Sequence, residues 1–351
     1  MPTGNGRSIK NSLLIFANLF VLTVAASCTT FDDIDALKTL RYEAGHQKGA
    51  GFCASCHEDI YDQWSKRSRH SLATTSPSFH HTIRAYSENI IVGLFMDEGM
   101  CYSCHGSKDV NEGVNCETCH GTVLRGVPIE KTHADKFTPR LSKLREPDFC
   151  ARCHQSKTPV SGDDLSSTYT DWRASKAAAE GVTCQVCHMR KRQDDTHAYH
   201  GFDTAVRDET IYRGLLAVGG IRYNHPELRL TIENRIKGHS VPAGGPTRVL
   251  ALELSFRDSS GTELFAKRQT FSKRFSLIPI VGAVPYRLIE NTQLRSGEKR
   301  SLRVTLPSDV RKRPQRLVIV LRMYEVSDEY EGDIGKAHWA SKPILRKVVD
   351  L

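Results

Sequence analysis

The sequence predicts a mixed fold: a loop- and helix-rich region with little regular structure, followed by an antiparallel β-sandwich. Three observations carry that expectation. Ten of the 11 cysteines fall in five Cys-x-x-Cys-His segments, all between Cys53 and His188. The sequence around them, from Gly51 to His200, is polar and loop-rich, with short helical patches such as Ile60 to His70 and Ser175 to Glu180. From Leu228 onward, apolar and polar residues alternate with period two. At 351 residues the chain is long enough for two domains. The expected organisation is a targeting segment over 1–27, a cysteine-rich region over 28–225 and a sandwich over 226–351.

The targeting segment comes first. Arg7 and Lys10 form a basic start, Leu13 to Ala26 an apolar run broken by Asn18 and Thr23, and Ala25, Ala26 and Ser27 a small-residue end. This is the anatomy of an export signal, too short for a membrane span. The eleventh cysteine, Cys28, follows it directly, where a bacterial lipoprotein carries its acylated first residue. Cys28 is therefore the expected lipidation site, and the chain is expected to be exported, periplasmic or outer-membrane-associated. Ala25 stands where the lipoprotein pattern prefers leucine, and simple cleavage leaving a free thiol is the other reading.

The five segments are Cys53-Ala-Ser-Cys56-His57, Cys101-Tyr-Ser-Cys104-His105, Cys116-Glu-Thr-Cys119-His120, Cys150-Ala-Arg-Cys153-His154 and Cys184-Gln-Val-Cys187-His188. Each reads as an attachment site for a c-type haem. Two thiols three residues apart can form thioether bonds to the two vinyl groups, and the adjacent histidine puts an imidazole on the iron. Zinc also uses Cys-x-x-Cys pairs, but takes them two by two, and does not need a histidine after every second cysteine. The expected cofactors are thus five covalently attached haem c groups, with His57, His105, His120, His154 and His188 as proximal iron ligands. Covalent attachment of this kind is completed outside the cytoplasm, in agreement with the signal. The second and third motifs begin fifteen residues apart, at Cys101 and Cys116, so their cofactors must be neighbours. Five macrocycles in so short a region leave little protein to insulate any of them.

The remaining ten histidines exceed what five irons need: His46, His70, His80, His81, His133, His197, His200, His225, His239 and His338. A second imidazole closes an iron to substrate, and its absence leaves an open coordination position. Composition agrees with a cofactor-built core. The hydrophobic fraction of 39% is low for this length, and each porphyrin brings its own apolar face. The formal charge of +9 would suggest an acidic partner if it stood alone. Bis-histidine ferric haem carries about one net negative charge with its propionates counted. Lysine and arginine therefore read as propionate partners, and no nucleic-acid partner is expected.

In the C-terminal part, Leu228, Leu230 and Ile232 alternate with Arg229, Thr231 and Glu233. Leu250, Leu252, Leu254 and Phe256 repeat the pattern up to a turn at Asp258-Ser-Ser-Gly261, followed by Leu302, Val304 and Leu306, then Leu317, Ile319, Leu321 and Met323. Six or seven short strands with turns between them predict the antiparallel sandwich.

The stretch Cys53-Ala-Ser-Cys-His57-Glu-Asp-Ile-Tyr61-Asp-Gln-Trp64-Ser-Lys-Arg-Ser68-Arg-His70 resembles the opening of the cytochrome c-554 family and related multihaem cytochromes. Gly113-Val-Asn-Cys116-Glu-Thr-Cys-His120-Gly121 and Glu180-Gly-Val-Thr-Cys184-Gln-Val-Cys-His188-Met189 resemble later motifs of that group, so the likeness spans about 50–200. It implies a multihaem cytochrome c domain over 28–225 and assigns second iron ligands. His70 matches the histidine that ligates a different haem across the fold. His133 matches a histidine downstream of the Cys-His-Gly motif, although Gly121-Thr-Val-Leu replaces the usual Gly-Pro-Gly. His197-Ala-Tyr-His-Gly201 resembles a His-x-Phe-x-Gly element, which favours His197 over His200. Gly238-His239-Ser-Val-Pro242-Ala-Gly244 resembles a Gly-His-x-x-Pro-Thr-Gly element that joins haem domains to a sandwich, and it assigns His239. His80 or His81 lies between the first two motifs, and His80 is taken as the fifth.

Two function classes remain. The leading one is an exported pentahaem protein that passes single electrons between a quinol-linked membrane or periplasmic donor and a downstream acceptor. Such a chain has no catalytic residue, and its sandwich serves docking or assembly. The alternative is an oxidoreductase with one open haem acting on a small nitrogen or sulfur compound. Enzymes of that kind often carry lysine as the proximal ligand, and no Cys-x-x-Cys-Lys occurs here.

Overall fold

The computed structural model describes residues 49–76, 79–80, 102, 104–106, 112–120, 143–158, 161–191, 197–202, 213–245, 247–277, 285–310, 313–325 and 341–351. The targeting segment, Cys28, His46, His81, Cys101, His133 and His338 lie outside them. Among the described residues no helix is long and apolar enough to cross a membrane.

The motif-bearing half is built from short helices: α1 (Ala50–Ala54), α2 (Glu58–Arg67), α3 (Cys116–His120), α4 (Pro147–His154), α5 (Thr168–Arg173), α6 (Lys176–Ala179) and α7 (Cys184–His188), with a small antiparallel pair β1 (Gln155–Lys157) and β2 (Asp164–Ser167). The helices are short because each motif needs only one turn. In a helix, residues three apart share a face, so one turn aligns both thiols and sets the histidine beside them. Local chemistry starts the turns. Asn115 Oδ1 accepts from the Thr118 backbone N–H at 3.1 Å, and Thr118 Oγ1 accepts from the Asn115 N–H at 3.3 Å, a reciprocal cap ahead of α3. Pro147 occupies the first turn of α4, with Asp148 beside it. The patch expected at 60–70 is α2, which stops at Ser68, where the backbone turns extended. The patch at 175–180 is α6, with Ser175 as its N-cap.

The second half holds β3 (Leu216–Asn224), β4 (Glu227–Asn234), β5 (Val249–Arg257), β6 (Glu263–Phe271), β7 (Lys273–Leu277), β8 (Pro285–Asn291), β9 (Lys299–Thr305), β10 (Arg316–Tyr324) and β11 (Ser341–Asp350). They form a four-stranded sheet in the order β11-β10-β5-β6, a three-stranded sheet β3-β4-β9 and a hairpin β7-β8, every pair antiparallel. The alternating residues of β4, β5 and β10 enter one apolar core together with Leu216, Val218 and Phe271. In β5 and β10 the register pairs Leu252 with Leu321, Leu254 with Ile319 and Phe256 with Leu317, all of them buried. Each such side chain contributes about 1.5–3 kcal/mol on burial.

The sheet region begins earlier than the sequence boundary at 225/226, because β3 pairs with β4 from Leu216 onward. Gly219 and Gly220 interrupt the alternation there, and the register shifts between Gly219 and Arg222, which hides the strand from a period-two reading.

The two halves interlock through polar contacts. Lys273 is buried at the start of β7, and its Nζ donates to the Asp164 carbonyl at 2.9 Å and Ser167 Oγ at 2.8 Å on β2. Asp163 Oδ2 accepts from the Leu288 N–H of β8 at 2.8 Å. Arg69 reaches across to the buried Glu325 at the end of β10.

Candidate haem-binding site

The motif turns brace one another. Glu117, buried within α3, accepts from the Gly49 N–H at 3.2 Å, and Glu112 accepts from the Ala50 N–H at 2.6 Å. Two carboxylates from around the third motif thus cap α1, which carries the first. Gln185 of the fifth motif donates to the Leu144 and Glu146 carbonyls at 2.7 and 2.9 Å, just ahead of the fourth. The thiols repeat this adjacency. Cys53 lies beside Cys116, Cys150 beside Cys184, and Cys104 beside Cys153. Contact with Cys53, then burial, pushes the Cys116 thiol up, and contact with Cys104, then burial, does the same to Cys153. Cys119 also acts electrostatically on Cys150 and Cys153, so the third motif adjoins the fourth.

The second imidazoles come from elsewhere in the chain. His70 follows the end of α2 in a single 3₁₀ turn, His70–Leu72. Trp64, buried in α2, donates its indole N–H to the Val114 carbonyl at 2.8 Å, and buried Ser68 accepts the His70 N–H on its Oγ at 3.0 Å. The Val114 N–H in turn donates to the His70 carbonyl at 2.9 Å. Gly113 makes this approach possible: its φ is 72°, and a Cβ there would sit 2.2 Å from the His70 carbonyl oxygen. His239 belongs to the loop after β4. Asn234, fully buried, donates its amide to the His239, Leu294 and Arg295 carbonyls at 3.2, 3.0 and 3.0 Å, pinning that loop.

Three imidazole pairs result. The ring centres of His70 and His154 are 6.0 Å apart with planes at 66°. Those of His120 and His200 are 6.1 Å apart at 27°, and those of His188 and His239 are 6.2 Å apart at 11°. An iron held between two imidazoles, with bonds of about 2.0–2.1 Å and a further ~1.1 Å from each nitrogen to its ring centre, separates the centres by about 6.3 Å. The observed pairs match that spacing, so these side chains fit haem iron. Their hydrogen bonds fit as well. His200 Nδ1 bonds the Ala198 carbonyl at 2.7 Å and His239 Nδ1 the Ser240 carbonyl at 2.9 Å. A carbonyl can only accept, so Nδ1 carries the proton in each and Nε2 keeps its lone pair for a metal. His70 Nδ1 is buried and has no hydrogen-bond partner.

Burial also disfavours protonation of four of these rings. It lowers His70 to about 4, with His188 adding to the effect, and lowers His154 to about 3, assisted by His70 and Arg248. His200 and His239 are lowered by burial too, partly offset by their backbone hydrogen bonds. His105 is lowered by burial, opposed by its bond to the Ala73 backbone, and it packs against Phe79 at 4.6 Å. His154 has many protein atoms around it yet is exposed at its surface.

Of the histidines the sequence reading assigned as second ligands, His70 lies beside His154 and His239 beside His188. The position opposite His120 is held by His200, whereas the sequence reading preferred His197. Tyr199 is buried and the His200 N–H bonds Gln63 Oε1 at 2.9 Å, which turns His200 inward and leaves His197 exposed. His80 lies exposed beside Phe79, 6.1 Å away. His133 and His81 are outside the described residues. Sequence reasoning also passed over Arg69, Phe202, Arg248 and Glu325, which surround the His70 pair. Only the adjacency of Arg69 to His70 was visible as a signal.

Residues 52–121 match the family model described as cytochrome c554 and c-prime. The fold matches the crystal structure of a penta-haem cytochrome c552 from Thermochromatium tepidum, with a TM-score of 0.64 and 21% identity over 87% of this chain and 99% of that one. An alkylpurine DNA glycosylase from Pseudomonas fluorescens aligns over 92% of this chain and 82% of its own at 10% identity, with a TM-score of 0.19, from which nothing follows. No curated protein matches the sequence. The chain is a multihaem c-type cytochrome. Its helices are combined with antiparallel sheets.

Proposed function

We propose that this chain is an exported pentahaem cytochrome that carries single electrons between a membrane or periplasmic donor and a downstream acceptor. The observation that carries the proposal is the set of three imidazole pairs at 6.0–6.2 Å, each joining a motif histidine to one far away in sequence. Haem iron, when bound, supplies one-electron redox chemistry. The cysteines of each motif would tether it, and each imidazole pair would hold one iron from both sides, leaving substrate no place on that metal. His154 takes His70, His120 takes His200, and His188 takes His239. Burial keeps His70, His154, His200 and His239 from protonating, so their lone pairs stay available.

The sulfur contacts support a relay order in which the first motif adjoins the third, the third the fourth, and the fourth both the second and the fifth. The two sheets, sharing one apolar core, are read as a sandwich that presents His239 and buttresses His70. Export follows from the signal at 1–27, with Cys28 as lipid anchor. Cys28→Ser should release the protein from membranes, and unchanged fractionation would leave simple cleavage as the reading.

Spectroelectrochemical titration of the purified holoprotein tests the function. Five haems per chain, at least three of them low-spin, all reversibly reduced with no small-molecule substrate, are expected. A high-spin iron that binds nitrite, hydroxylamine or sulfite and turns it over would replace the relay by the oxidoreductase reading.

A further inference from the structure

Phe202 is the one residue other than glycine with a positive φ among the described residues, at 48°. That conformation is unfavourable for a side chain with a Cβ and persists only where the surroundings hold it. What surrounds it is specific. The Phe202 ring meets His70 at 4.4 Å and 84°, and meets His200 at 6.2 Å and 87°. Both contacts are edge-to-face, the arrangement aromatic quadrupoles favour. One phenyl ring therefore stands perpendicular to two imidazoles assigned to two different irons.

The chain before it is shaped to deliver the ring. Tyr199 is buried, and its side chain lies so close over Gly201 that a Cβ there would come within 2.2 Å of the phenol oxygen. Gly201 is thus required, and the turn it permits brings Phe202 between the rings. The third pair, His188 and His239, is held by Asn234 and makes no ring contact with Phe202 among the described residues. That pair is near parallel at 11°, whereas His70 and His154 are at 66°.

We propose that Phe202 is a positioning residue that clamps His70 and His200 together, fixing the imidazole orientation at two neighbouring haems with a single ring. This rests on the axial pairing proposed above. The angle between two axial imidazole planes sets the anisotropy of a low-spin ferric signal, so the clamp has a spectroscopic signature independent of electron-transfer activity.

The test is electron paramagnetic resonance of the oxidised holoprotein and of its Phe202→Leu, Phe202→Gly and Phe202→Tyr variants. In the unsubstituted protein the 66° pair should give a more anisotropic signal than the 11° pair. Phe202→Leu should shift the signals of the His70/His154 and His120/His200 pairs and leave the near-parallel pair unchanged. Phe202→Gly, which removes the ring while relieving the backbone, should shift the same two. Phe202→Tyr, which keeps the ring, should retain the unsubstituted spectrum. The clamp is refuted if Leu and Gly move no signal, if every signal moves together, if Gly leaves the spectrum intact while Leu alters it, or if Tyr behaves like Leu. Absence of low-spin signals from the unsubstituted protein would instead refute the axial pairing, so the two failures are distinguishable.

Discussion

Replacing Arg69 by alanine isolates the contact that ties the His70 turn to the sheets. Arg69 pairs with Glu325, whose side chain is only 5% exposed while that of Arg69 is 20% exposed. Burial raises the Glu325 carboxyl above its usual range, and Arg69, Arg248 and Lys342 oppose that rise. Breaking a buried pair from one side costs about 3–5 kcal/mol, because the remaining charge is uncompensated. The carboxyl can escape by taking up a proton, which caps the loss. Neutralising a group of ordinary pKa about 4.3 costs about 3.7 kcal/mol at pH 7 and only about 1 kcal/mol at pH 5.

The sign follows from linkage. A carboxyl whose pKa is higher in the folded state binds more protons there, so stability falls as pH rises above the unfolded value toward the folded one. Urea unfolding of the Arg69→Ala holoprotein, followed by tryptophan fluorescence, should therefore show a deficit of about 3 kcal/mol at pH 7 that shrinks to about 1 kcal/mol at pH 5. Adding Glu325→Gln should restore most of the loss at pH 7 and flatten the pH dependence. A deficit equal at both pH values, or one under about 1 kcal/mol at pH 7, would refute the reasoning.

Two other perturbations address the His70 pair. Gly113→Ala forces a Cβ into the His70 carbonyl at a φ of 72° and should cost at least about 2 kcal/mol, with part of the iron turning high-spin in the Soret spectrum. Acid titration of the ferric holoprotein should leave low-spin absorption intact through pH 6.5 and 5, since burial already disfavours protonation of His70 and His154 and a bond to iron adds to it. These histidines have folded pKa values below the unfolded one, so their stabilisation is lost only as pH falls; loss of ligation near pH 6 would contradict their burial.

What was legible in the sequence is what is local. A thioether-and-imidazole turn is written in five adjacent residues, and the period-two alternation of Leu250 to Phe256 places one face of β5 in the core without reference to its neighbours. What escaped is tertiary. His120 and His200 pair through the packing of Tyr199 and Gln63, so neither spacing nor the flanking glycine could choose between His197 and His200. His70 and His239 were singled out only through resemblance, because the helix end at Ser68 and the Asn234-pinned loop that position them leave no periodic trace. Arg69 and Glu325 lie 256 positions apart, and a lone glutamate after a strand reads as solvated surface until the fold buries it. Strand β3 was missed for a local reason, its paired glycines.

The most direct test of the account is spin quantification of the fully oxidised holoprotein by electron paramagnetic resonance against its iron content. The account predicts that at least three irons per chain are low-spin at neutral pH, and that His70→Ala, His200→Ala and His239→Ala each convert one of them to high-spin. Fewer than three low-spin irons per unsubstituted chain, or variants whose iron stays low-spin, would contradict the pairing on which the relay depends.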